Sequence, residues 1–228
     1  MVAGRNMKIQ RCLICGLAVG VLAVVAAAAE IEVVRLKVVD TIQPASKQFI
    51  ERGLAEAASR GAALVVIELD TPGGLVDSTR DITSAIIACE VPVVVYVAPG
   101  GAQAASAGFY ILMAADVAAM APGTTTGAAH PVGGQGENLP EDVRAKVTND
   151  VSAMVRSFAE QRGRNVDKAV EAVVESTSFT AAEALELELI EFVADNLRAL
   201  LDQLDGQTVT RFDKSEVVLD LESAIVVE

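Results

Sequence analysis

The chain has 228 residues, a length that suits one α/β domain with at most a small appendage. Its hydrophobic content of 52% excludes intrinsic disorder as its general state, because disordered chains lack the apolar surface that forms a packed core. Its formal net charge of −13, with no visible basic patch, argues against binding to nucleic acid.

Residues 1–29 have the pattern of an export signal. A basic start is followed by an uninterrupted run of apolar residues and glycine over residues 12–26, and further alanines lead to Glu30. This order predicts a secretory signal peptide that is cut after Ala29. The alternative is an uncleaved N-terminal membrane anchor, for which the run is short, since a span needs about 20 apolar residues. We expect residues 30–228 to form the working domain, exported or membrane-associated on the extracytoplasmic side of the inner or plasma membrane.

Strand and helix patterns then alternate along the chain. Continuous apolar runs such as residues 63–69 are typical of strands that are covered on both faces. We predict strands at residues 31–39, 63–69, 91–98 and 117–121, and helices at residues 44–60, 75–89, 104–115 and 140–161. This alternation predicts an α/β fold with parallel strands joined by helical crossovers.

The second half of the chain carries weaker patterns. A flexible loop is expected at residues 131–141, and Thr180 with Glu183 predicts a capping box that opens a further helix. Residues 207–220 resemble a terminal β segment. The long helix places five apolar residues on one face: Val143, Val147, Val151, Met154 and Phe158.

Neither a metal site nor a disulfide is expected. Once the signal is removed, Cys89 is the one remaining cysteine, which excludes an intramolecular disulfide. His130 is the only histidine, so the chain has no cysteine and histidine cluster with metal-ligand spacing. The sequence implies no metal or organic cofactor.

The first motif with chemical potential is LDTPGGLV at residues 69–76, where a buried strand runs into Gly73, Gly74 and then a helix. Glycine lets the backbone approach a ligand closely, and N–H groups at a helix start hold an anion. A tetrahedral oxyanion requires donors of this kind. The simpler interpretation is a tight strand-to-helix turn.

The second motif is PGGAQAASAGFY at residues 99–110, in which Ser106 is flanked by small residues near a helix start. A serine there exposes its hydroxyl beside oriented N–H groups, as a nucleophile requires. The simpler interpretation is close helix packing. Because the loops after neighbouring parallel strands converge at one edge of the sheet, the two motifs together favour nucleophilic acyl transfer.

At this point the sequence resembles a known family. The ordered motifs LDTPGG, PGGAQAASAG, MAPGTTTGAAHPV and KVTN resemble the NfeD-type membrane serine proteases, which are relatives of ClpP and signal peptide peptidase A. The resemblance covers about residues 31–225 and implies a ClpP/crotonase-like ββα superhelix. It also implies a serine endopeptidase with a Ser–Lys dyad, formed by Ser106 as nucleophile and Lys146 as general base. The implied oxyanion donors are a backbone N–H of the Gly73-Gly74 turn and that of Ala107.

The resemblance also implies partners. The family is associated with hydrophobic substrate segments and with stomatin-like membrane proteins, and relatives of the fold assemble. We therefore expect a protein or peptide substrate with an apolar segment, a stomatin-like membrane partner, and a homodimer or larger homo-oligomer. Proteins of the family usually continue beyond such a domain into several membrane spans and a further small domain.

The identity of the general base stays open between two residues. A lysine is protonated at neutral pH in water, so the dyad requires Lys146 to be sequestered beside Ser106 when substrate is bound. His130 is the alternative, because ClpP-type peptidases use a Ser–His–Asp triad and histidine titrates near neutrality. A simpler role for His130 is a bond to backbone in a turn. Three acidic residues near the motifs have no clear orienting role: Asp70, Asp77 and Asp116.

Two other function classes remain as alternatives. A crotonase-type acyl-CoA enzyme also holds a thioester oxyanion with two backbone N–H groups, although an export signal argues against it because CoA is cytosolic. A non-catalytic scaffold that binds a membrane protein is the other alternative. A thioester-hydratase assay separates the first from a peptidase, and the effect of Ser106→Ala on the cellular role separates the second.

Overall fold

The computed structural model describes residues 31–132 and 140–228. The expected signal or anchor over residues 1–29 and most of the expected loop at residues 131–141 lie outside the described residues. The strands are β1 (Glu32–Val39), β2 (Leu64–Asp70), β3 (Val93–Val97), β4 (Gln103–Ala105), β5 (Val117–Met120), β6 (Thr125–Gly127), β7 (Ser178–Thr180), β8 (Phe192–Val193), β9 (Thr208–Thr210), β10 (Glu216–Val218) and β11 (Ile225–Val227). The helices are α1 (Pro44–Arg60), α2 (Val76–Ala88), α3 (Ala107–Ala114), α4 (Glu141–Arg162), α5 (Val166–Val174), α6 (Ala181–Glu186) and α7 (Leu197–Leu204).

The main sheet is parallel, as predicted. Its strand order is β11-β1-β2-β3-β5-β8, and every neighbouring pair in it runs parallel. Strands β2 and β3 are buried almost throughout because both faces of the sheet are covered. Residues such as Val65 and Ile67 face the larger core with α1 to α5, whereas Val66 and Tyr96 face a smaller core with α7 and β9.

A second, three-stranded sheet gives the fold its repeating unit. Its order is β4-β6-β7, with β4 parallel to β6 and β6 antiparallel to β7. The chain therefore passes from a strand of the main sheet to a strand of the small sheet and then to a helix, in β3-β4-α3 and again in β5-β6-α4. This ββα repeat agrees with the predicted superhelix.

Several predicted elements differ in their details. The predicted helix at residues 104–115 begins only at Ala107, because residues 103–105 pair with β6 as strand β4. Val143, which was predicted to share one apolar face of α4 with four other residues, is 45% exposed. The predicted capping box is confirmed, since Thr180 Oγ1 accepts from Glu183 N at 3.3 Å and the Glu183 carboxylate accepts from Thr180 N at 2.9 Å.

Further elements had no sequence prediction: α5, α7 and the strands β6, β7, β8 and β11. The hairpin of β9 and β10 corresponds to the predicted terminal β segment. Over the described ranges, no helix combines the length and the apolar character that a membrane crossing requires.

Candidate active site

Ser106 lies at the junction between β4 and α3 in a strained backbone conformation. Its φ of 51° and ψ of −112° place it in a region that non-glycine residues rarely adopt. Its own N–H donates to Gly127 O at 2.9 Å, and its carbonyl accepts from Phe109 N at 3.0 Å. Although Ser106 is the N-cap of α3, its hydroxyl makes no capping hydrogen bond. The Oγ is therefore not engaged in capping α3.

Gly73 and Gly74 allow the first motif to approach this serine. Gly73 has a φ of 127°, and a Cβ on it would lie 2.8 Å from the Cβ of Ser106 and 3.2 Å from its Oγ. A Cβ on Gly74 would lie 2.0 Å from the carbonyl oxygen of Ile42. Any larger residue at either position therefore displaces the backbone beside Ser106.

The hydrogen bonds of this turn separate the predicted oxyanion donors. Gly73 N donates to the hydroxyl of Thr71 at 3.2 Å, and Gly73 O accepts from Ile42 N at 2.8 Å. Among the residues that the structure describes, the N–H groups of Gly74 and Ala107 donate to no acceptor. Two of the three predicted donors are therefore available to a ligand beside Ser106, and the Gly73 N–H is engaged.

Thr71 was not singled out from the sequence, yet it organises the turn. It is fully buried, and its backbone continues the pairing with the β4 region through Thr71 N to Gln103 O at 2.7 Å. Gly108 of α3 packs on it so closely that a Cβ on Gly108 would lie 2.6 Å from Thr71 Cγ2. The DTPGG motif contains the signal for this role, because a threonine hydroxyl readily bonds a nearby backbone N–H in a turn.

An apolar pocket opens beside Ser106. Its walls come from α2, α3, α4 and the segment after β6, and they include Val76, Tyr110, Val151 and Met154. Tyr110 donates to Ala129 O at 2.7 Å, and burial raises its pKa above the ordinary tyrosine value, so the hydroxyl stays protonated. The pocket has a volume of about 20 Å³, room for a single water molecule.

A wider groove continues from the pocket along the surface. It has a volume of about 710 Å³, and its lining includes Ile42, Leu75, Ser106, His130 and Val132. Leu75 and Val132 are 48% and 58% exposed. Exposed apolar side chains around a reactive serine suit a substrate segment that is itself apolar.

His130 lines the same groove, but its ring is bonded to backbone. Nδ1 lies 3.1 Å from the carbonyl oxygen of Val173, at the end of α5. Because a carbonyl only accepts, Nδ1 carries the proton in this contact. No hydrogen bond joins His130 to Ser106 or to a carboxylate in the described part of the chain. This geometry matches the turn role rather than a formed Ser–His–Asp triad.

Lys146 lies in the second turn of α4 with an exposed side chain, and it is not part of the walls around Ser106. Later residues of the same helix, Val151 and Met154, do line the pocket. The helix is tied to α2 where Arg80 pairs with Asp150. The structure thus brings Ser106 together with Gly73, Gly74, Ala107 and His130, but not with Lys146.

This arrangement is suited to acyl transfer. It combines an uncapped serine hydroxyl, two free backbone N–H groups and an adjoining apolar pocket. Within the described ranges, no group of three or more histidine, cysteine, aspartate or glutamate side chains is arranged to hold a metal ion.

The chain is similar in sequence to known proteins. A family model described as the N-terminal domain of NfeD1b matches residues 32–214. The chain is 40% identical over 157 residues to the membrane-bound protease PH1510 of Pyrococcus horikoshii, and 31% identical over 189 residues to the membrane protein NfeD1b of Bacillus subtilis. These matches cover 68% and 77% of this chain but only 36% and 40% of the two relatives.

Solved structures give the same result. A lysine-to-alanine mutant of the 1510-N membrane-bound stomatin-specific protease, in complex with a substrate peptide, superposes with a TM-score of 0.81 at 32% identity. The match covers 88% of this chain and 92% of the mutant's chain. A serine-to-alanine mutant of the same protease gives a TM-score of 0.80. ClpP1 from Listeria monocytogenes matches with a TM-score of 0.60 at 19% identity, over 73% of this chain and 94% of that one. At this identity the match shows the fold alone. The predicted ClpP-like fold is confirmed.

Proposed function

Because the chain belongs to the family of NfeD1b N-terminal domains, we propose that it is the protease domain of a membrane-associated serine endopeptidase. The observation that carries this proposal is the uncapped hydroxyl of Ser106, a residue at positive φ that lines one pocket with Gly74 and Ala107, whose N–H groups are free among the described residues. A solved relative is described as a protease, and its serine-to-alanine mutant was chosen for structural study. Residues 30–228 form this domain in our proposal.

The reaction follows from these groups. Ser106 Oγ attacks a peptide carbonyl carbon while the base takes its proton, and the N–H groups of Gly74 and Ala107 stabilise the oxyanion. The C–N bond then breaks as the base passes the proton to the departing amine. Water attacks the resulting ester, which releases the second product and returns a proton to Ser106. No metal or organic cofactor takes part in these steps.

We assign the base to Lys146. In the 1510-N relative, the serine and the lysine that were altered are separated by nearly the same number of residues as Ser106 and Lys146 here. That lysine mutant was studied with a substrate peptide bound. Lys146 is exposed without a ligand, so the dyad requires the first turns of α4 to close over a bound substrate. Closure would also remove water from the lysine and favour its neutral form.

His130 is the second candidate for the base, because it lines the groove that holds Ser106. Its Nδ1 bond to Val173 O leaves Nε2 as an acceptor. A ClpP-like Ser–His peptidase would use that nitrogen. The two candidates predict opposite results in the experiment below.

The substrate in this proposal is an apolar segment of a stomatin-like membrane partner. The apolar walls of the pocket and groove support an apolar segment, and the 1510-N relative is described as stomatin-specific. The two curated relatives are described as membrane proteins, which supports membrane association. We further propose that the domain works as a homodimer or larger homo-oligomer on the extracytoplasmic side, after export by residues 1–29 as a cleaved signal or as an anchor.

The experiment is cleavage of an apolar peptide library by residues 30–228, followed by mass spectrometry. We expect Ser106→Ala and Lys146→Ala to abolish cleavage and His130→Ala to retain it. Arg144→Ala is the matched control for Lys146, since Arg144 is another cation on the same helix, paired with Glu141. Loss of cleavage in His130→Ala with full activity in Lys146→Ala would assign the base to the histidine. A folded wild type that cleaves no peptide would contradict the protease proposal.

A further inference from the structure

Three arginines bind the carboxyl ends of the two helices that begin at the candidate site. Arg211 donates through Nη1 to Glu90 O at 2.8 Å and through Nη2 to Cys89 O, directly after the last turn of α2. At the end of α3, Arg162 donates to Ala114 O at 2.7 Å, and Arg164 donates to the carbonyls of its last turn at 2.8 to 3.3 Å. Carbonyls at helix carboxyl ends lack partners within the helix, so cations suit them.

Asp116 joins two of these arginines. Its Oδ1 accepts from Arg162 Nη1 at 2.7 Å and from Arg211 Nε at 3.1 Å, and its Oδ2 accepts from Val93 N at 2.8 Å. The side chains of Asp116 and Arg162 are only 1% and 2% exposed, and that of Arg211 is 9% exposed. We call Asp116, Arg162 and Arg211 the Asp116 clamp. It fixes the end of α2, the end of α3 and the start of β3 to one another.

The same two helices begin beside the residues with free N–H groups. Helix α2 begins two residues after Gly74, and α3 begins at Ala107. With 13 and 8 residues, they are about 20 Å and 12 Å long at 1.5 Å per residue. The two helices also pack against each other. A rotation of one helix against the other at the clamp therefore changes the distance between Gly74, which precedes α2, and the Ser106–Ala107 pair at the start of α3.

Stability alone explains the clamp poorly. Removing charges from water costs free energy that the attraction between them often fails to recover, and the best-attested use of buried ion networks is to specify one geometry. Burial lowers the pKa of Arg162, which reflects that cost. The Phe212 ring, 5.2 Å below the Arg162 guanidinium, holds it in place. Oxyanion donors need this kind of fixed placement, since small errors in position cost large factors in rate.

We propose that Asp116, Arg162 and Arg211 are positioning residues that set the distance between the Gly74 and Ala107 N–H groups from the far ends of α2 and α3. The proposal rests on the serine endopeptidase function proposed above. The clamp touches neither substrate nor Ser106. Its effect therefore falls on the chemical step and leaves substrate binding in the groove unchanged.

The test uses Arg211→Lys, Arg162→Lys and Asp116→Asn in the 30–228 domain, at temperatures well below the melting point of each variant. Glu68→Gln is the matched control. It removes a buried carboxylate that pairs with Arg35 between β1 and β2, away from the ends of both helices. Peptide cleavage gives kcat and KM, and NMR gives the backbone amide shifts of Gly74 and Ala107, a readout that does not depend on activity.

We expect kcat to fall about 3- to 30-fold in the clamp variants with KM within about twofold, as for an interaction that acts in the transition state. The amide signals of Gly74 and Ala107 should move, whereas Glu68→Gln should change neither kcat nor these signals. Unchanged kcat and unchanged amide signals in the clamp variants, even with a lowered melting point, would overturn the proposal. If Asp116→Asn does not fold, the Arg211→Lys variant decides between the two outcomes. Lysine keeps the positive charge of Arg211, whose side chain lies at the edge of the cluster. If the wild type cleaves nothing, the protease proposal fails, and the amide signals alone still decide whether the clamp sets the donors.

Discussion

Gly73 and Ser106 are in such close contact that a Cβ on Gly73 would lie 2.8 Å from the Ser106 Cβ and 3.2 Å from its hydroxyl oxygen. Two motifs separated by more than thirty positions in the sequence therefore meet at one point, where both backbones have positive φ. Gly74, whose N–H is free among the described residues, lines the same pocket as Ser106. It also makes this pair a direct target for substitution.

Gly73→Ala should remove activity while the fold persists. The new methyl group would overlap the Ser106 side chain and force the two backbones apart, so the reaction of Ser106 with a fluorophosphonate should slow by at least about 100-fold. Gly101→Ala is the control, because Gly101 also has positive φ, +93°, but nothing lies within 4 Å of its Cβ position. It should cost about 1–3 kcal/mol of stability and leave the reaction rate unchanged. Equal reaction rates in the two variants would contradict the claim that the contact between Gly73 and Ser106 controls the reactivity of the serine.

Thr71→Val should lower kcat by about tenfold. Valine keeps the shape of threonine but leaves the buried N–H of Gly73 without its 3.2 Å acceptor, which loosens the turn that presents Gly74. The expected loss of stability is about 1–3 kcal/mol by denaturant unfolding. Thr124→Val serves as the control, since Thr124 is equally buried and its hydroxyl donates to Ala121 O at 2.6 Å in the turn between β5 and β6. A comparable fall in kcat for Thr124→Val would contradict a specific role of Thr71.

His130→Ala should retain most of the activity and lose about 1 kcal/mol of stability. The ring binds Val173 O, so its removal frees one carbonyl at the end of α5 without touching Ser106. Peptide cleavage and thermal unfolding of the same preparation measure both effects. A kcat below about one hundredth of the wild-type value, in a variant with near-native stability, would instead identify His130 as the base.

Tyr96 should make stability fall in alkaline solution. Its hydroxyl donates to Ala194 O at 2.8 Å, and burial raises its pKa from the ordinary 10 to about 12. The unfolded chain therefore loses this proton first, and the stabilisation that is complete below pH 10 is lost as the pH rises towards 12. The loss is at most about 2–3 kcal/mol. Denaturant titrations between pH 10 and 12 should show a smaller fall in the free energy of unfolding for Tyr96→Phe than for wild type. An equal fall in the two proteins would contradict the role of Tyr96.

The sequence was most informative where regular patterns are long. Continuous apolar runs predicted β2 and β3, and a threonine-to-glutamate capping pattern predicted the start of α6. Three-residue strands such as β4 and β6 are too short to show an alternation of apolar and polar residues. Their formation depends on pairing with segments that are distant in the sequence. The predicted helix start at residue 104 was wrong for this reason.

The same reasoning applies to the site. The glycine motif and the small residues around Ser106 predicted the meeting of two loops, because parallel topology brings such loops to one edge. The Asp116 clamp joins residues that are 46 and 95 positions apart, and no local pattern indicates such pairings. The Thr71 hydroxyl engages the N–H of Gly73 and not that of Gly74. The threonine in DTPGG indicates a bond to a nearby backbone N–H but does not specify which of the two glycines takes part.

The measurement that tests the central claim most directly is fluorophosphonate modification of the 30–228 domain in the presence of an apolar peptide, with the modified residue located by mass spectrometry. We expect a single adduct on Ser106, formed at a rate that falls at least about 100-fold in Lys146→Ala and stays near the wild-type rate in Arg144→Ala. An adduct on another residue, or a wild-type rate in Lys146→Ala, would contradict the Ser106 and Lys146 dyad.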